Sequence, residues 1–537
     1  MRAVPGFFLL FAAVVALQWN GGAFEAEFAA GPDEPAHYVT GLMVRDYIAS
    51  GMREAPMRYA ENYYLHYPKV ALGHWPPLYY LVQAAWTLLF TPSRASLMLL
   101  QAALTALLAV ALGAVVESRF STGMGLAACL FFVCLPQVQM ASRQVTPDIL
   151  ASLFVFVSFV LFIAFAESGR TRDSVLFGLA ASVTILTSGI GFQLALLPPF
   201  FVLFSRRFGW LRRPVFWLPL VVVALITFPW YLMAPGARHE SVTNLGGAIF
   251  APVMSKATWW ERFEMPFRWN IVVDTLPGLL EAVGVLLPLA VLGMWRQRRS
   301  REGFWTVAFA VVAAVLTFRV LVLAAGASHR SLLGLIPILL LFAAQGVSVL
   351  PRGRTGNWLG IGALVLFLAL NVVWMPPLPR LGFSEAAQSL LTEPQGSRPV
   401  MMIASDAVGE GAFIAEVAMR ENRPGHYVLR GSKVLANISW TGFPYKSLVH
   451  STEDVWQTLK ATGVGILVVD WTANPLLHDR MLRRAVLEYP ERFHFLKEYR
   501  AHRLIKAYRL ATDQLQGVPR LKMRVPGLGR DLATASQ

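Results

Sequence analysis

The sequence predicts an α-helical polytopic membrane protein with a C-terminal soluble α/β domain, and three observations support this fold class. Hydrophobic residues make up 55% of the 537 residues and charged residues only 15%, which is unusual for a soluble protein. Apolar runs of about 17 to 25 residues, the length that crosses a bilayer, recur as far as about residue 375. Beyond that residue the long runs stop and short strand-like and helix-like segments follow.

About eleven transmembrane helices are predicted. Short loops with repeated arginines separate them on alternate sides, which assigns those loops to the cytoplasm, the N-terminus to the inside and the tail to the outside. We read the N-terminal run as an uncleaved first helix, with a cleaved signal peptide as the alternative. The predicted spans are 6–23, 95–116, 122–140, 149–166, 174–189, 190–204, 214–234, 275–294, 303–324, 331–350 and 357–375.

Three apolar segments are interpreted as helices that lie in the membrane interface. The segment 76–93 is apolar enough to cross, but a crossing there would move most arginine-rich loops outside, so we place it at headgroup level. The segment 41–55 has apolar residues at helical spacing between charges, and 257–270 is rich in tryptophan and arginine. Two long external loops result, 24–94 and 235–274.

The C-terminal part reads as an outer α/β domain, which divides the chain into 1–375 and 376–537. Strands are expected at 398–405, 426–430 and 464–471, with helices at 409–422 and 452–463. The sequence "GEG" in this part does not make a phosphate-binding glycine loop. Polar residues in "VLRGSKVLANISW" (428–440) are either surface residues or contacts to an acceptor.

The net charge of +15 comes largely from these arginine clusters and does not indicate a nucleic-acid partner. Cys129 and Cys134 are the only cysteines and share one apolar segment, so neither a disulfide framework nor a metal site is expected from them.

Ionisable residues collect at the predicted external ends of the spans. A lone charge in hydrocarbon costs several kcal/mol, so such residues usually pair, reach the interface or serve a site. Cations suit a phosphate group, whereas carboxylates suit a general base or a divalent cation. The candidates are the acids Asp33, Glu34 and Asp148 for catalysis and, for substrate binding, His37, His74, Arg94, Arg143, His329 and Arg330.

Several of these residues also have a structural interpretation. Asp33 could cap a helix that begins near Pro35, and Asp148 could cap its span. His74 could be an ordinary loop residue, and Arg94 or Arg330 could anchor helix ends.

The motifs "DE" with "HY" in the first external loop, then "HWPPLYYL" and "SRQVTPD", resemble the GT-C membrane glycosyltransferases. The most similar branch is that of the protein O-mannosyltransferases and lipid A aminoarabinose transferases. The resemblance implies a first loop with interfacial helices, a catalytic acid at Asp33, a second external acid at Asp148 and a loop-associated cation at Arg94. The aminoarabinose transferases usually have Lys before the paired prolines, where this chain has Trp75 preceded by His74.

We therefore expect an inverting glycosyltransferase of the cytoplasmic membrane with its active site outside. Its partners would be a polyprenyl-phosphate-linked sugar donor, a lipid, glycan or protein acceptor and membrane lipids; a divalent cation is possible. The alternatives are a lipid or sugar transporter or flippase, whose charges usually lie near the bilayer midplane, and a non-catalytic assembly protein. Arginine outnumbers lysine, a bias typical of GC-rich bacteria, and a bacterial source favours an undecaprenyl over a dolichyl carrier.

Overall fold

The computed structural model describes residues 3–233, 269–300, 302–321, 329–349, 365–367, 369–371, 373, 375–392, 399–438, 445–511, 522–525 and 530–534. Up to residue 349 these residues are almost entirely helical. The α-helices are α1 Ala3–Asn20, α2 Glu34–Ala49, α3 Pro56–His66, α4 Leu78–Leu89, α5 Arg94–Arg119, α6 Thr122–Cys134, α7 Pro136–Ser142, α8 Asp148–Ser168, α9 Thr171–Thr187, α10 Leu197–Ser205, α11 Pro214–Met233, α12 Trp269–Val283, α13 Leu287–Gln297, α14 Gly303–Leu321 and α15 Ile336–Val349.

Several of these helices are apolar, as expected of a multi-pass membrane protein. Within the described ranges four are long and apolar enough to cross a bilayer, or up to six if each of two bent pairs is one span. One bent pair is α6 and α7, which meet at 62° because Leu135 precedes Pro136 and adopts an extended backbone. The count of eleven spans remains a prediction, and most of the predicted span 357–375 lies outside the described residues.

The first external loop folds into α2, α3 and α4. With 12 residues α4 is about 18 Å long, too short for a hydrocarbon core of about 30 Å. One side of α4 buries Tyr79 and Tyr80, whereas Leu81 and Leu89 are exposed. This amphipathic shape is consistent with the interfacial position predicted for 76–93.

The helix predicted at 41–55 is wrong in its limits. The helix begins at Glu34, with Pro35 in its first turn where proline is tolerated, and ends at Ala49. Gly51 and Met52 follow with positive φ angles of 77° and 54° and reverse the chain. The first half of α2 is buried in protein, and the interfacial position predicted for 41–55 stays a prediction. The interfacial segment predicted at 257–270 lies almost wholly outside the described residues.

The C-terminal part contains a mixed five-stranded sheet. Its strands lie in the order β2 (Val428–Arg430), β1 (Val400–Ala404), β5 (Val464–Asp470), β7 (Leu504–Leu510) and β6 (Phe493–Arg500). Strand β1 pairs in parallel with β2 and β5, and β7 pairs antiparallel with β5 and β6. Strands and helices are present at the five places where the sequence predicts them. In chain order the elements are α16 Phe383–Thr392, β1 Val400–Ala404, α17 Ala407–Arg420, β2 Val428–Arg430, α18 Gly431–Val434, β3 Ala436–Ile438, β4 Tyr445–Ser447, α19 Thr452–Thr462, β5 Val464–Asp470, α20 Leu477–Glu488, β6 Phe493–Arg500, β7 Leu504–Leu510, β8 Lys522–Val525 and β9 Arg530–Ala533.

This sheet shares its core with the first external loop. One hydrophobic cluster contains Phe28, Tyr38 and Tyr63 of the loop together with Phe413 and Val468 of the C-terminal part. Helix α2 packs against α4 on one side and α17 on the other. The division near residue 376 stays a prediction, and it does not separate two hydrophobic cores.

Candidate active site

Asp33 immediately precedes α2 and its carboxylate is not used to cap that helix. The residue has helical dihedral angles (φ −88°, ψ −30°) instead of the extended ones of a capping residue, and its side chain makes no cap hydrogen bond. It is half-buried. Among the residues described, no hydrogen-bond or ion-pair partner holds this carboxylate. The interpretation of Asp33 as a helix cap is therefore wrong.

The adjacent Glu34 is buried, with 1% of its surface exposed, and both of its carboxylate oxygens are engaged. Oε1 accepts hydrogen bonds from Arg94 Nη2 (3.2 Å) and from the backbone N–H of Val145 (3.1 Å). Oε2 accepts one from the backbone N–H of Ala30 (3.0 Å). A carboxylate with three donors is poorly placed to take a proton from a substrate. These contacts give Glu34 a structural role, and the catalytic role predicted for it stays a prediction.

Arg94 begins α5 and is equally buried. Besides Glu34, its guanidinium donates to the carbonyl oxygens of Ala23 and Arg143, the latter at 2.8 Å. A cation is unfavourable at a helix N-terminus, so the ion pair with Glu34 offsets a local cost. Arg94 thus joins α5, the first loop and the segment before α8, and the phosphate contact predicted for it is not supported.

Arg143 follows α7 and also contacts the backbone. Its Nη1 donates to the carbonyl oxygens of Gly21 (3.2 Å) and Pro376 (3.0 Å). A Cβ atom at position 21 would lie 2.3 Å from Nη1, so the close approach requires glycine there. Arg143 fastens the end of α1 to the start of the C-terminal part and is 3% exposed.

His37 belongs to a group of aromatic side chains between α2 and α4. Its Nδ1 lies 2.7 Å from the Tyr80 hydroxyl, and its ring stacks on Trp75 with 4.0 Å between centroids. The half-buried His74 lies beside the same tryptophan, at 5.3 Å. The sequence "HWPP" therefore builds one side of the space next to α2.

Asp148 and the last two candidates lie at other helix ends. Asp148 is the first residue of α8, half-buried, and accepts a hydrogen bond from Thr146 Oγ1 (2.9 Å). The cap position of this helix is occupied by Pro147. His329 and Arg330 begin a 3-10 helix that leads into α15, and their side chains lie outside the described set.

The sequence analysis missed Lys69, which lies beside Asp33. Its side chain is 2% exposed and Nζ donates to the carbonyl oxygen of Pro32 (3.2 Å). Burial, and then the positive charge of Arg430, lower the pKa of Lys69 to about 7. A signal was present, since this lysine lies in an apolar and aromatic stretch, "LHYPKVALGHW". The closeness of Lys69 to Arg430 of the C-terminal part, 361 residues later in the sequence, could not be predicted.

Arg430 is itself held by Glu410 of α17. The Glu410 side chain has no exposed surface and accepts hydrogen bonds from Arg430 Nε (2.8 Å) and from the backbone N–H (2.7 Å) and hydroxyl (2.5 Å) of Ser432. Lys433 follows one turn later, half-buried, with its pKa lowered to about 8 by burial. Charges of the first loop and of the sheet thus meet next to Asp33.

Asp33 and Glu34 fit a divalent cation poorly. In the described part of the chain no three His, Cys, Asp or Glu side chains are grouped closely enough to hold a metal ion. Glu34 adds no ligand to Asp33, because its oxygens are occupied by Arg94, Val145 and Ala30.

Comparison with known proteins gives a family match over part of the chain and a fold. The sequence model of the family described as dolichyl-phosphate-mannose-protein mannosyltransferase matches residues 74–232. No curated protein sequence is similar enough to count as a match.

Two sets of solved structures are similar to this chain. ArnT from Cupriavidus metallidurans in the apo state superposes with a TM-score of 0.60 over 94% of this chain and 98% of that one, at 15% identity. The same protein bound to undecaprenyl phosphate gives 0.60 over 95% and 99%, at 14% identity. The oligosaccharyltransferase AglB from Archaeoglobus fulgidus, in complex with an inhibitory peptide and a dolichol-phosphate, gives 0.56 over 87% and 69%, at 10% identity. The resemblance predicted from the sequence is confirmed, and this chain has the fold of the GT-C superfamily of membrane glycosyltransferases.

Proposed function

We propose that the protein transfers a sugar from a polyprenyl-phosphate carrier to an acceptor on the outer face of the cytoplasmic membrane. The GT-C fold supports this, as do the similar structures that contain undecaprenyl phosphate and dolichol-phosphate. The observation that carries the proposal is the state of the Asp33 carboxylate. It is half-buried, it does not cap its helix, and it lies between Pro32 and Glu34, whose side chain is held by hydrogen bonds.

The proposed reaction is a single displacement with inversion at the anomeric carbon. A hydroxyl or amine of the acceptor attacks that carbon, and the bond from the carbon to the phosphate oxygen breaks with its electron pair moving to the phosphate. Asp33 accepts the proton of the attacking group. Cations near the leaving oxygen stabilise the charge that develops there.

The surroundings of Asp33 suit a base that must keep its position. Glu34, one residue later, is tied to Arg94 and Val145, which fixes the first turn of α2. We keep Asp148, His74, His329 and Arg330 as proposed groups of the site: Asp148 near the acceptor, and His74 with the latter pair near the departing phosphate. Glu34, Arg94 and Arg143 are assigned to the scaffold.

The test is Asp33→Asn, which keeps the shape of the side chain and removes the base. Membranes of the source cell supply the acceptor, and release of polyprenyl phosphate from polyprenyl-phosphate-linked pentose and hexose is measured. We expect transfer to fall by a factor on the order of 10² or more, with unchanged thermal unfolding. Asp173→Asn is the matched control. Asp173 is also half-buried in the first turn of a helix, but it accepts a hydrogen bond from Ser168 and lies far from Asp33 in the sequence. Full activity of Asp33→Asn would overturn the proposal.

A second measurement separates transfer from transport. In proteoliposomes without acceptor, a flippase would move the lipid-linked sugar across the bilayer, whereas a transferase leaves its distribution unchanged. We expect no movement.

A further inference from the structure

The outer side of α2 carries a group of buried and half-buried cations that the proposed reaction has not used. Helix α4 covers the membrane side of α2, and α17 covers the other side. At the contact with α17, a Cβ atom at Gly411 would lie 2.6 Å from Pro35 Cγ and 2.8 Å from Lys69 Cε. The two layers are therefore in direct contact beside Asp33, and only glycine fits between them.

Three cations approach this contact from two distant parts of the chain. Lys69 comes from the first loop, and Arg430 and Lys433 come from the end of β2 and from α18. All three lie close enough together for the charges of Arg430 and Lys433 to lower the pKa of Lys69. The negative charges of Glu410 and Asp33 raise the pKa of Lys69.

The two carboxylates do not balance the three cations. Glu410 is matched with Arg430 at 2.8 Å and has its remaining capacity filled by Ser432. Lys433 therefore lies beside the charges of Arg430 and Glu410 with no Glu410 oxygen left to accept its hydrogen bonds. Among the described residues, the acceptor recorded for the Lys433 ammonium is one backbone carbonyl, that of Ile438. An ammonium has three donors, and taking it out of water is costly unless an acceptor returns the lost interactions.

We propose that Lys433, backed by Lys69 and Arg430, binds an anionic phosphate or carboxylate group of the acceptor. This inference rests on the proposed function and names the acceptor's chemical class. Lys433 and Asp33 are the half-buried members of the group, whereas Lys69 and Arg430 are buried and supply positive charge from behind. An acceptor anchored there by its anionic group presents a neighbouring hydroxyl or amine to Asp33.

The layering favours the acceptor over the donor as the source of this anion. The phosphate of a lipid-linked sugar stays at the headgroup level, on the side of α4 and the spans. The cations lie on the opposite side of α2, where two of the three belong to the C-terminal part. A group that approaches from outside the membrane reaches them first.

The test is a binding measurement on the full-length protein in nanodiscs at constant ionic strength. Inorganic phosphate and acetate are titrated by calorimetry, and undecaprenyl phosphate is titrated separately. We expect Lys433→Gln to weaken binding of the preferred small anion by about tenfold or more, since a charge-assisted hydrogen bond is lost. Binding of undecaprenyl phosphate should not change. Lys433→Arg should retain the small anion, and Lys69→Gln should weaken it.

The matched control is Lys460→Gln, an exposed lysine at the end of α19. Three outcomes would overturn the inference: no binding of either small anion to the wild type, an equal loss in the Lys460 control, or a parallel loss of undecaprenyl phosphate in Lys433→Gln. The last result would assign the cations to the donor. Because the measurement needs no sugar transfer, it can fail while the Asp33 test succeeds, and the reverse.

Discussion

Two groups of cations near α2 use positive charge in different ways. In the first group the buried cations are arginines, Arg94 and Arg143, which donate to backbone carbonyls of several chain segments and to Glu34. In the second group, where α17 packs on α2, two of the cations are lysines, Lys69 and Lys433, whose pKa values fall to about 7 and about 8. A guanidinium keeps its charge when buried, whereas a lysine readily shifts its pKa. The comparison indicates that fixed charge builds the scaffold and adjustable charge serves a ligand.

The largest loss of stability is expected when an arginine of the first group is removed. Arg94→Ala leaves the Glu34 carboxylate buried without its ion-pair partner, which typically costs about 3–5 kcal/mol. We expect a large loss of folded protein in a thermal unfolding assay of the detergent-purified chain. Arg119→Ala is the control, because Arg119 is more than one third exposed and its pairing with Glu302 is loose at 3.9 Å; such pairs contribute about 0–1 kcal/mol. If Arg94→Ala unfolds normally but no longer binds undecaprenyl phosphate, the phosphate role first predicted for Arg94 is restored.

A smaller loss of stability is expected from overpacking the contact between α17 and the start of α2. Gly411→Ala places a methyl group against the rigid ring of Pro35, and such overpacking costs about 1–3 kcal/mol. Because Pro35 is two residues from Asp33, sugar transfer should fall more than stability alone explains. Gly123→Ala in α6 is the control, since a Cβ atom there meets nothing within 4 Å. Normal transfer in Gly411→Ala would show that α17 does not position the acid.

The titration of Lys69 should make stability depend on pH in a defined direction. The charges that face it are Arg430, Lys433, Glu410 and Asp33. Between about pH 7 and the pKa near 10.5 of the unfolded chain, folded Lys69 is neutral while unfolded Lys69 is charged, so the unfolded state binds more protons. The free energy of unfolding should therefore rise with pH in this window, by at most about 1.4 kcal/mol per pH unit. Below about pH 7 the cost of the buried charge is fully present.

The Lys69 contribution is isolated by comparing the wild type with Lys69→Met at pH 6 and pH 9. The stability of the wild type relative to this variant should increase with pH. In the same window, affinity for a small anion should decrease for the wild type, because the neutral lysine no longer attracts it. A pH-independent difference between the two proteins would assign the observed pH dependence to other groups.

The sequence predicted well what depends on local pattern. Apolar runs located most of the helices, whereas the interfacial position of 76–93, which follows from the charge of distant loops, stays a prediction. The sequence could not decide between Asp33 and Glu34, because adjacent residues differ only in what the folded chain places around them. Glu34 is engaged by residues 60 and 111 positions later. Lys69 was missed for the same reason, since Arg430 and Glu410 reach it only through the packing of α17 on α2.

The smallest predicted effect separates a cap from a catalytic acid. Asp33 makes no hydrogen bond to its helix, so at about pH 9, where Lys69 is neutral, Asp33→Ala should change the free energy of unfolding by less than about 0.5 kcal/mol. Ser451 is the matched control, because it caps α19 in a reciprocal capping box with Asp454, and Ser451→Ala should cost about 0.5–2 kcal/mol. Both variants are compared in one chemical or thermal unfolding series, together with their transfer rates. Asp33→Ala should lose transfer and keep stability, and Ser451→Ala should do the opposite. If Asp33→Ala is destabilised as much as Ser451→Ala, the carboxylate supports the fold through contacts outside the described residues, and its loss of activity no longer identifies a base.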